Sequence, residues 1–374
     1  MYNLFVLIFV FNFIYEDSDS LVVYDDSLTM AGYHSYNIKI HLRNAHIAIT
    51  PWSGASDSTG WLTLESPSIV CCLQTVIRGS GAGYWGGLSG HGDGYGPGAG
   101  EVGGISGGGG GGAGYGGAGG DGGDYYPGSG GSTYGNPSDT IVEIGSGGGA
   151  GQYVSVIDGY GGKGGAMVRV RGQNIAIDSA DIVVNGFPGE SGSIGFEGGG
   201  GGSGGSILIL SDTISLHYTS LSACGNDGAG SEYGGGGGAG GGRIKVLYMV
   251  QLDTLEFLAS AAGGAGGIGY QGSNGTAGSN GSVYIAPLVG LKEYAQPANL
   301  LTSVNNTIVM NSLLLRCDQV PATLHIYDAT GRLIHVSTLM NTVSTVPIHR
   351  LKNGVYFLSL DYCPTQRIKI VVIR

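Results

Sequence analysis

The chain has 374 residues, 78 of them glycine, and a formal net charge of -11 at neutral pH. Glycine in runs with only 11 prolines excludes collagen, and 41% hydrophobic residues with 22 tyrosines exclude ordinary disorder. With 16 Lys and Arg against 27 acids, the chain also lacks the clustered positive charge of a nucleic-acid-binding protein, so we expect no nucleic-acid partner.

Near the N-terminus, residues 4–14 form an apolar run broken only by Asn12. The run is shorter than the about 20 residues that a membrane span needs, and no other stretch is long enough, so we predict no transmembrane span. Residues 1–20 resemble a secretory signal segment. A buried first strand is the alternative, because no Lys or Arg precedes the run and no small-residue cleavage site follows it.

The five cysteines show neither CxxC spacing nor nearby histidine pairs, so the sequence predicts no zinc site, no other metal site and no cofactor. Cys71 and Cys72 are adjacent in a predicted strand and should point to opposite faces. We interpret the cysteines as small apolar residues of the core.

A repeat runs through residues 21–290, which we predict to be one passenger domain. Four blocks begin with glycine and continue as alternating apolar residues; they start at Gly165, Gly205, Gly242 and Gly281. The spacings are 40, 37 and 39 residues. An earlier copy starts at Gly60, and strand-like alternation precedes it at 36–42 and 46–50.

One such unit cannot bury its own apolar face, so neighbouring units must stack. The repeat therefore predicts an all-β fold, a glycine-rich β-solenoid of the right-handed parallel β-helix type, with an antiparallel sandwich as the competing architecture. The predicted inward positions are Val168, Val170, Ile175, Ile177, Ile207, Ile209, Ile214, Leu216, Ile244 and Val246.

The densest glycine region is a predicted insertion at about residues 80–160; residues 79–165 contain 40 glycines. Glycine offers no side chains for a core and loses much entropy on ordering. Two conformations stay open at this point: flexible loops, or closely packed extended glycine helices whose backbones hydrogen-bond. Aromatic residues could pack over such a layer; they are Tyr84, Trp85, Tyr95, Tyr115, Tyr125 and Tyr126.

A sharp change of composition marks a domain boundary, with residues 291–302 as the linker. Residues 303–374 carry seven Lys and Arg against three Asp, whereas residues 1–302 carry nine against 24 acids. Alternating segments separated by turns at 328–331 and 352–354 predict a small antiparallel β-sandwich in residues 303–374.

Three blocks of this C-terminal segment occur in a recognisable order. They are Ile326-Tyr327-Asp328-Ala-Thr-Gly331-Arg332-Leu333, then Leu351-Lys-Asn-Gly354-Val355-Tyr356-Phe357, then Ile368-Lys369-Ile370-Val371-Val372. In order, spacing and terminal position they resemble the type A C-terminal sorting domain of the type IX secretion system of Bacteroidota and related bacteria. The residues that carry this sorting-signal motif are Tyr327, Asp328, Gly331, Arg332, Leu351, Gly354, Val355, Tyr356 and Lys369.

This resemblance implies export across the outer membrane and, as partners, the type IX translocon and sorting machinery. It also implies removal of the domain, followed by release or by attachment to surface lipopolysaccharide. The glycine-rich zone more loosely resembles glycine-rich β-helical surface proteins of bacteria, through its Gly-Gly-x-Ile-x-Ile blocks and residues 134–149.

Three kinds of binding or catalytic site fit parts of this sequence to different degrees. Nucleotide binding lacks the strand, helix and GK[ST] context that a glycine loop needs. A calcium site could use Asp121, Asp124 and Asp139, although solvated acids explain them as well. Polysaccharide lyase or hydrolase chemistry would need paired carboxylates. Its candidates are Asp178, Asp181 and Asp212, with Arg169 and Arg171 for an acidic sugar, whereas His217 shows no Ser or Cys partner.

We therefore expect a secreted or surface-bound structural and adhesive protein that contacts glycans, neighbouring cells or other copies of itself, and no enzyme activity. The alternative is a carbohydrate-active β-helix enzyme, which requires a discrete polar cleft. Packed glycine helices would also fit a protein that binds ice or another regular surface through a flat face of low charge.

Overall fold

The computed structural model describes residues 12–88, 91–153, 156–192, 197–288, 301–303, 308–309, 312–317, 320–341, 343–348, 351–360 and 363–372. Across these ranges the chain consists of strands and loops, without a helix, and nothing in them could cross a membrane as a helix. The chain divides into two compact units, Met1–Leu288 and Val289–Arg374. Most of the signal-like segment and of the linker lies outside the described residues, although Phe13–Glu16 forms a strand.

The first unit contains nineteen strands among its described residues. They are β1 (Phe13–Glu16), β2 (Ser20–Tyr24), β3 (Ser27–Met30), β4 (Gly32–Ser35), β5 (Lys39–Arg43), β6 (His46–Ile49), β7 (Trp61–Glu65), β8 (Ser68–Cys72), β9 (Val76–Arg78), β10 (Ser106–Gly108), β11 (Gly151–Tyr153), β12 (Val156–Gly159), β13 (Met167–Asp178), β14 (Asp181–Val183), β15 (Ser206–His217), β16 (Ser220–Ser222), β17 (Arg243–Leu255), β18 (Leu258–Ser260) and β19 (Ser282–Pro287).

Successive repeats pair in parallel within two sheets. The first sheet has the order β1-β2-β5-β8-β13-β15-β17-β19, with β4 and β7 joined beside β13, and the second has the order β18-β16-β14-β9-β6-β3. In the first sheet only β1 and β2 pair antiparallel. These parallel ladders are incompatible with the antiparallel sandwich considered above for the repeat region.

The register corrects one spacing of the predicted repeat. Val168 pairs with Ile207, which places the first two repeats 39 residues apart rather than 40, and Ile207 pairs with Ile244. Because side chains alternate between the faces of a strand, a spacing of 40 would have placed Val168 beside the outward-facing Leu208. The observed register keeps the apolar columns on one face.

These apolar columns form the main hydrophobic core. All ten predicted inward positions from Val168 to Val246 are at most 2% exposed and belong to one hydrophobic cluster, which confirms the prediction. Burying one such Val, Leu or Ile side chain contributes about 1.5–3 kcal/mol. Cys71 is buried in this cluster and Cys72 is half-exposed, as their opposite orientations predicted.

The glycine-rich segments between the strands pack into a hydrogen-bonded glycine layer, defined here as the glycine-rich residues that the structure describes within 83–165, 186–205 and 223–281. In this layer, backbone N–H groups three residues apart donate to the same neighbouring segment. The N–H groups of residues 109, 112 and 115 donate to the carbonyl oxygens of residues 123, 120 and 117, respectively. Those of residues 110 and 113 donate to the carbonyl oxygens of 198 and 201, and those of residues 111 and 114 to the carbonyl oxygens of 101 and 98. A period of three residues is that of the extended polyproline-type helix, whose backbone groups are free to bond other chains. The second of the two conformations left open by the sequence is therefore the one observed.

Glycine is required in the layer because backbones approach too closely for a side chain. A Cβ atom on Gly112 would lie 2.1 Å from the carbonyl oxygen of Gly238. On Gly237 it would lie 2.0 Å from the carbonyl oxygen of Gly120. Of the predicted aromatic residues, Tyr115 is buried in this unit, whereas Tyr125 and Tyr126 are exposed.

A loop that we call the strap, residues 132–144, covers part of the outward face of the first sheet. Its Val142 packs with Met167, Leu208 and Leu247 in a second hydrophobic cluster. The Nζ of Lys245, which is fully buried, donates to Asp139 Oδ1 (2.7 Å) and to the carbonyl oxygens of Asn136 (2.7 Å) and Ile141 (2.6 Å). Arg243 Nη2 donates to the carbonyl oxygen of Tyr134 at 2.7 Å, and its guanidinium lies over the ring of Tyr115.

The second unit is a two-sheet structure. Its described strands are β20 (Leu301–Ser303), β21 (Ile308–Val309), β22 (Ser312–Cys317), β23 (Ala322–Asp328), β24 (Leu333–Leu339), β25 (Val343–Pro347), β26 (Gly354–Leu360) and β27 (Cys363–Val372). One sheet has the order β20-β22-β25 and the other β21-β27-β26-β23-β24. All pairs are antiparallel except β21 with β27. Both sheets contribute to one core, to which Leu315 and Leu358 belong.

Candidate functional site

The three sequence blocks of the sorting-signal motif come together on three neighbouring strands of the second unit. Strand β26 lies between β23 and β27. Asp328 pairs with Tyr356, and Phe357 pairs with both Tyr327 and Lys369. Residues of neighbouring blocks up to about 30 positions apart are thus direct cross-strand partners, and the first and third blocks flank the second.

The first block ends in the turn between β23 and β24. Asp328 Oδ1 accepts hydrogen bonds from the backbone N–H groups of Thr330 (2.9 Å) and Arg332 (3.1 Å) and from the Thr330 hydroxyl (2.6 Å). Arg332 Nε donates to Asp328 Oδ2 at 3.3 Å. Gly331 has a φ of +84°, a left-handed conformation that favours glycine. The Asp, Gly and Arg of this block therefore have defined structural roles in a hairpin turn.

The second block closes the core around the start of β26. Leu351 is buried and donates its backbone N–H to the carbonyl oxygen of Ile348 at 2.9 Å. Tyr356 is 8% exposed, and its hydroxyl donates to the carbonyl oxygen of Lys352 at 3.0 Å. Gly354 and Val355 begin the strand, and Lys369 lies in β27 opposite Phe357. These contacts hold the loop 351–354 against the sheet.

Protonation of Asp328 is expected to loosen the turn. The Thr330 hydroxyl first, and then the backbone N–H groups of Arg332 and Thr330, hold the pKa of Asp328 below its ordinary value. Because the pKa of Asp328 is lower in the folded state, its ionised form stabilises the turn at a pH above the unfolded-state pKa of about 3.9. This stabilisation is lost as the pH falls through the folded-state pKa. We expect the NMR shifts of the Thr330 and Arg332 amides to titrate with a midpoint below about pH 3.9.

The matched variant is Asp328→Asn, which removes the titrating group and keeps the side-chain shape. It should leave both amide shifts flat over the same pH range. Asp57→Asn, in an exposed loop of the first unit, should leave the wild-type titration in place. A midpoint that persists in Asp328→Asn would assign the titration to another group.

In the first unit, Arg171 lines a surface groove of about 410 Å³ and lies 3.6 Å from the carboxylate of Glu65. Arg169, two residues earlier on the same face, is half-buried, and its Nε has no partner among the described residues. Burial first, and then Arg171, lowers the pKa of Arg169. Of the two predicted sugar-binding arginines, the groove contains Arg171.

The carboxylates predicted for lyase or hydrolase chemistry have local contacts. Asp178 accepts a hydrogen bond from the Ser179 hydroxyl at 3.0 Å, and Asp181, in the other sheet, accepts one from the backbone of Ser220 at 3.2 Å. Asp212 lies within β15. The structure thus places Asp178 at the end of β13 and Asp181 at the start of β14, in different sheets.

His217 has partners that the sequence analysis missed. Its Nε2 lies 3.2 Å from the Ser215 hydroxyl and 3.0 Å from the carboxylate of Asp253. A nucleophile–base–acid triad uses both ring nitrogens of histidine, and here one nitrogen meets both groups, so the geometry is not that of a triad. The alternation of a strand places residues 215 and 217 on one face, which is the signal that could have revealed the first contact.

Two of the three predicted calcium ligands, Asp121 and Asp139, have different partners. Asp139 pairs with Lys245, and Asp121 Oδ1 accepts the backbone N–H of Gly130 at 2.7 Å. The part of the chain that the structure describes contains no group of three or more His, Cys, Asp or Glu side chains that could hold a metal ion. Burial raises the pKa of the Cys71 thiol to about 12, which suits a core residue.

Comparison with known proteins identifies the second unit. Residues 302–374 match the family model described as the secretion system C-terminal sorting domain. This confirms the resemblance drawn from the three sequence blocks and shows that the chain carries a sorting domain of the type IX secretion system. Neither a curated protein nor a solved structure matches the chain. The matched segment covers about a fifth of the chain and does not include the repeat region.

Proposed function

We propose that this chain, whose residues 302–374 are a type IX sorting domain, is a structural and adhesive protein of the cell surface. The sorting domain indicates export and a secreted or surface location, with the type IX machinery as the partner. The first unit, at residues 12–288 as far as described, is then the part that acts outside the cell. Its ligands would be glycans, neighbouring cells or further copies of the chain.

The first unit is proposed to be a β-solenoid of the parallel β-helix type. Support comes from the parallel, in-register pairing of β13, β15, β17 and β19, and from the second parallel ladder of β9, β14, β16 and β18. The repeats that begin with β13, β15 and β17 thus each place one strand in each sheet before the chain passes into the glycine layer. Stacked repeats of this kind present long, regular surfaces, which suits attachment.

The observation that carries the proposed function is the glycine layer. Its segments form backbone hydrogen bonds with one another at a period of three residues. A region poor in side chains is thus held together by its backbone groups, as a sheet is. The amide groups of such a layer are engaged with one another, so few groups are left that could take part in chemistry. The layer supports a structural or adhesive role more directly than a catalytic one.

The enzyme alternative finds weaker support in the groove beside Arg171. Glu65 is the carboxylate in its lining, and it is paired with Arg171. Glycoside hydrolysis by the usual mechanism needs two carboxylates facing each other across the substrate. The proposal therefore treats this groove as a place for binding.

Deleting the gene from its host is expected to reduce attachment of cells to surfaces and to one another, and the full-length gene should restore it. Removing residues 302–374 should give the same loss, because the chain then stays inside the cell. The measurement is retention of washed cells under flow, with blotting of cell and medium fractions. Unchanged attachment together with loss of a polysaccharide-degrading activity from the medium would favour the enzyme alternative.

A further inference from the structure

A groove runs across the first sheet of the first unit, over five strand positions that are far apart in the sequence. Its polar lining includes Asn37, Glu65, Ser66, Arg171 and Gln173, and its far end includes Met249. We infer that this groove binds an extended, uncharged oligosaccharide. The inference deepens the proposed function and rests on it, because it names the class of ligand that the exported unit contacts.

The dimensions suit a chain-like ligand. Neighbouring strands of a sheet lie about 4.8 Å apart, so the four steps from the segment at Asn37 to the one at Met249 span about 19 Å. The volume of about 410 Å³ lies within the range of about 300–1,000 Å³ that is usual for ligand clefts. A groove that crosses the strands of several repeats is longer than a single small molecule needs.

The floor of the groove offers an unused hydrogen-bonding group. Ser66 is 2% exposed, and its hydroxyl has no partner among the described residues. A buried hydroxyl without a partner destabilises the protein, and a hydrogen bond from a ligand hydroxyl would remove that cost. Beside it, a Cβ atom on Gly172 would lie 2.5 Å from the carbonyl oxygen of Ser66, so a larger residue at this position would clash with the backbone at the bottom of the groove.

The charges favour a neutral ligand. Arg171 and Glu65 lie 3.6 Å apart and neutralise each other, with side chains 45% and 36% exposed. The repeat region as a whole is strongly acidic, which repels polyanions at long range. Planar Arg, Gln, Asn and Glu groups can hydrogen-bond sugar hydroxyls, and the exposed Met249 can meet the apolar face of a sugar ring.

A peptide is the less suitable occupant. Peptides that bind sheets in an extended form usually add to a free strand edge. The strands beneath the centre of the groove, β13 and β15, are each paired on both sides, so their backbone groups are already used. The ligand must therefore be recognised by side chains, which fits a polymer rich in hydroxyl groups.

The test is affinity electrophoresis of the full chain in gels that contain dextran, laminarin or hydroxyethylcellulose, with polygalacturonate and casein gels in parallel. At least one uncharged polysaccharide is expected to retard the chain. Arg171→Ala and Gln173→Ala should each weaken that retardation about tenfold, the loss expected when a polar contact worth about 1.4 kcal/mol disappears. The matched controls Arg78→Ala and Gln251→Ala, at exposed positions outside the groove, should migrate like the wild type.

Three results would overturn the inference: no retardation by any uncharged polymer, retardation by polygalacturonate or casein alone, or wild-type binding by both groove variants. The attachment assay separates this failure from that of the proposed function. Cells producing Gln173→Ala that still attach fully, while the purified variant no longer binds glycan, would show attachment through another surface.

Discussion

Gly112→Ala is expected to prevent the first unit from folding stably, with a loss of about 3 kcal/mol or more. The added Cβ would lie 2.1 Å from the carbonyl oxygen of Gly238 and 2.5 Å from its carbonyl carbon. Both are backbone atoms, and Gly112 itself donates to Gly120 and accepts from Gly131 at 2.8 Å. Neither segment can move away without breaking hydrogen bonds to further segments, so the clash cannot be relieved locally.

Gly230→Ala is the matched control, because it makes the same change in the same layer. A Cβ atom there would meet the carbonyl oxygen of Ile268 at 3.4 Å, an ordinary contact. Urea unfolding of the full chain, followed by circular dichroism, should show a clearly lower midpoint for Gly112→Ala and nearly the wild-type value for Gly230→Ala. Equal midpoints for the two variants would mean that the close packing of the layer does not limit stability.

Lys245→Ala is expected to release the strap and to cost about 1–3 kcal/mol. The change leaves Asp139 without its cationic partner and the carbonyl oxygens of Asn136 and Ile141 without their donor. Burial lowers the pKa of Lys245, an effect that Asp139 opposes, and Lys245 in turn holds the pKa of Asp139 below its ordinary value. The pair thus joins a fully buried lysine to a carboxylate that is 33% exposed, and each partner favours the charged form of the other.

The strap contains Tyr134, a site for chymotrypsin, so limited proteolysis reports its release. Cleavage there should become much faster in Lys245→Ala than in the wild type, with a lower unfolding midpoint. Lys163→Ala, which removes an exposed lysine of the glycine layer, should change stability by no more than about 0.5 kcal/mol. Wild-type resistance to chymotrypsin in Lys245→Ala would show that apolar packing alone holds the strap.

The sequence predicted the elements that depend on side-chain alternation. Positions such as Val168 and Ile207 are buried as predicted, because a period of two in a strand fixes which face a residue takes. The spacing of the first two repeats was wrong by one residue, since glycine runs of variable length carry no side-chain pattern to set the register. The sorting motif could be read from its three blocks because the turn residues Asp328 and Gly331 have specific backbone roles.

The groove and the strap could not be predicted from side-chain alternation or from a short motif. Lys245 alternates like its neighbours in β17, and nothing near it in the sequence shows that it is buried by a loop about 105 residues earlier. The partner Asp253 of His217 also comes from the next repeat. Such contacts depend on the stacking of repeats, which brings distant residues together across one sheet.

The sequence by itself therefore determined the all-β class, the inward apolar columns, and export through a C-terminal sorting domain. Each of these follows from local alternation or from a short motif. Only the tertiary structure decided the conformation of the glycine runs, because a glycine segment has no side chains and its hydrogen bonds go to whichever backbones the stacked repeats place beside it. The same stacking placed Lys245 in its buried pair and assembled the groove around Arg171.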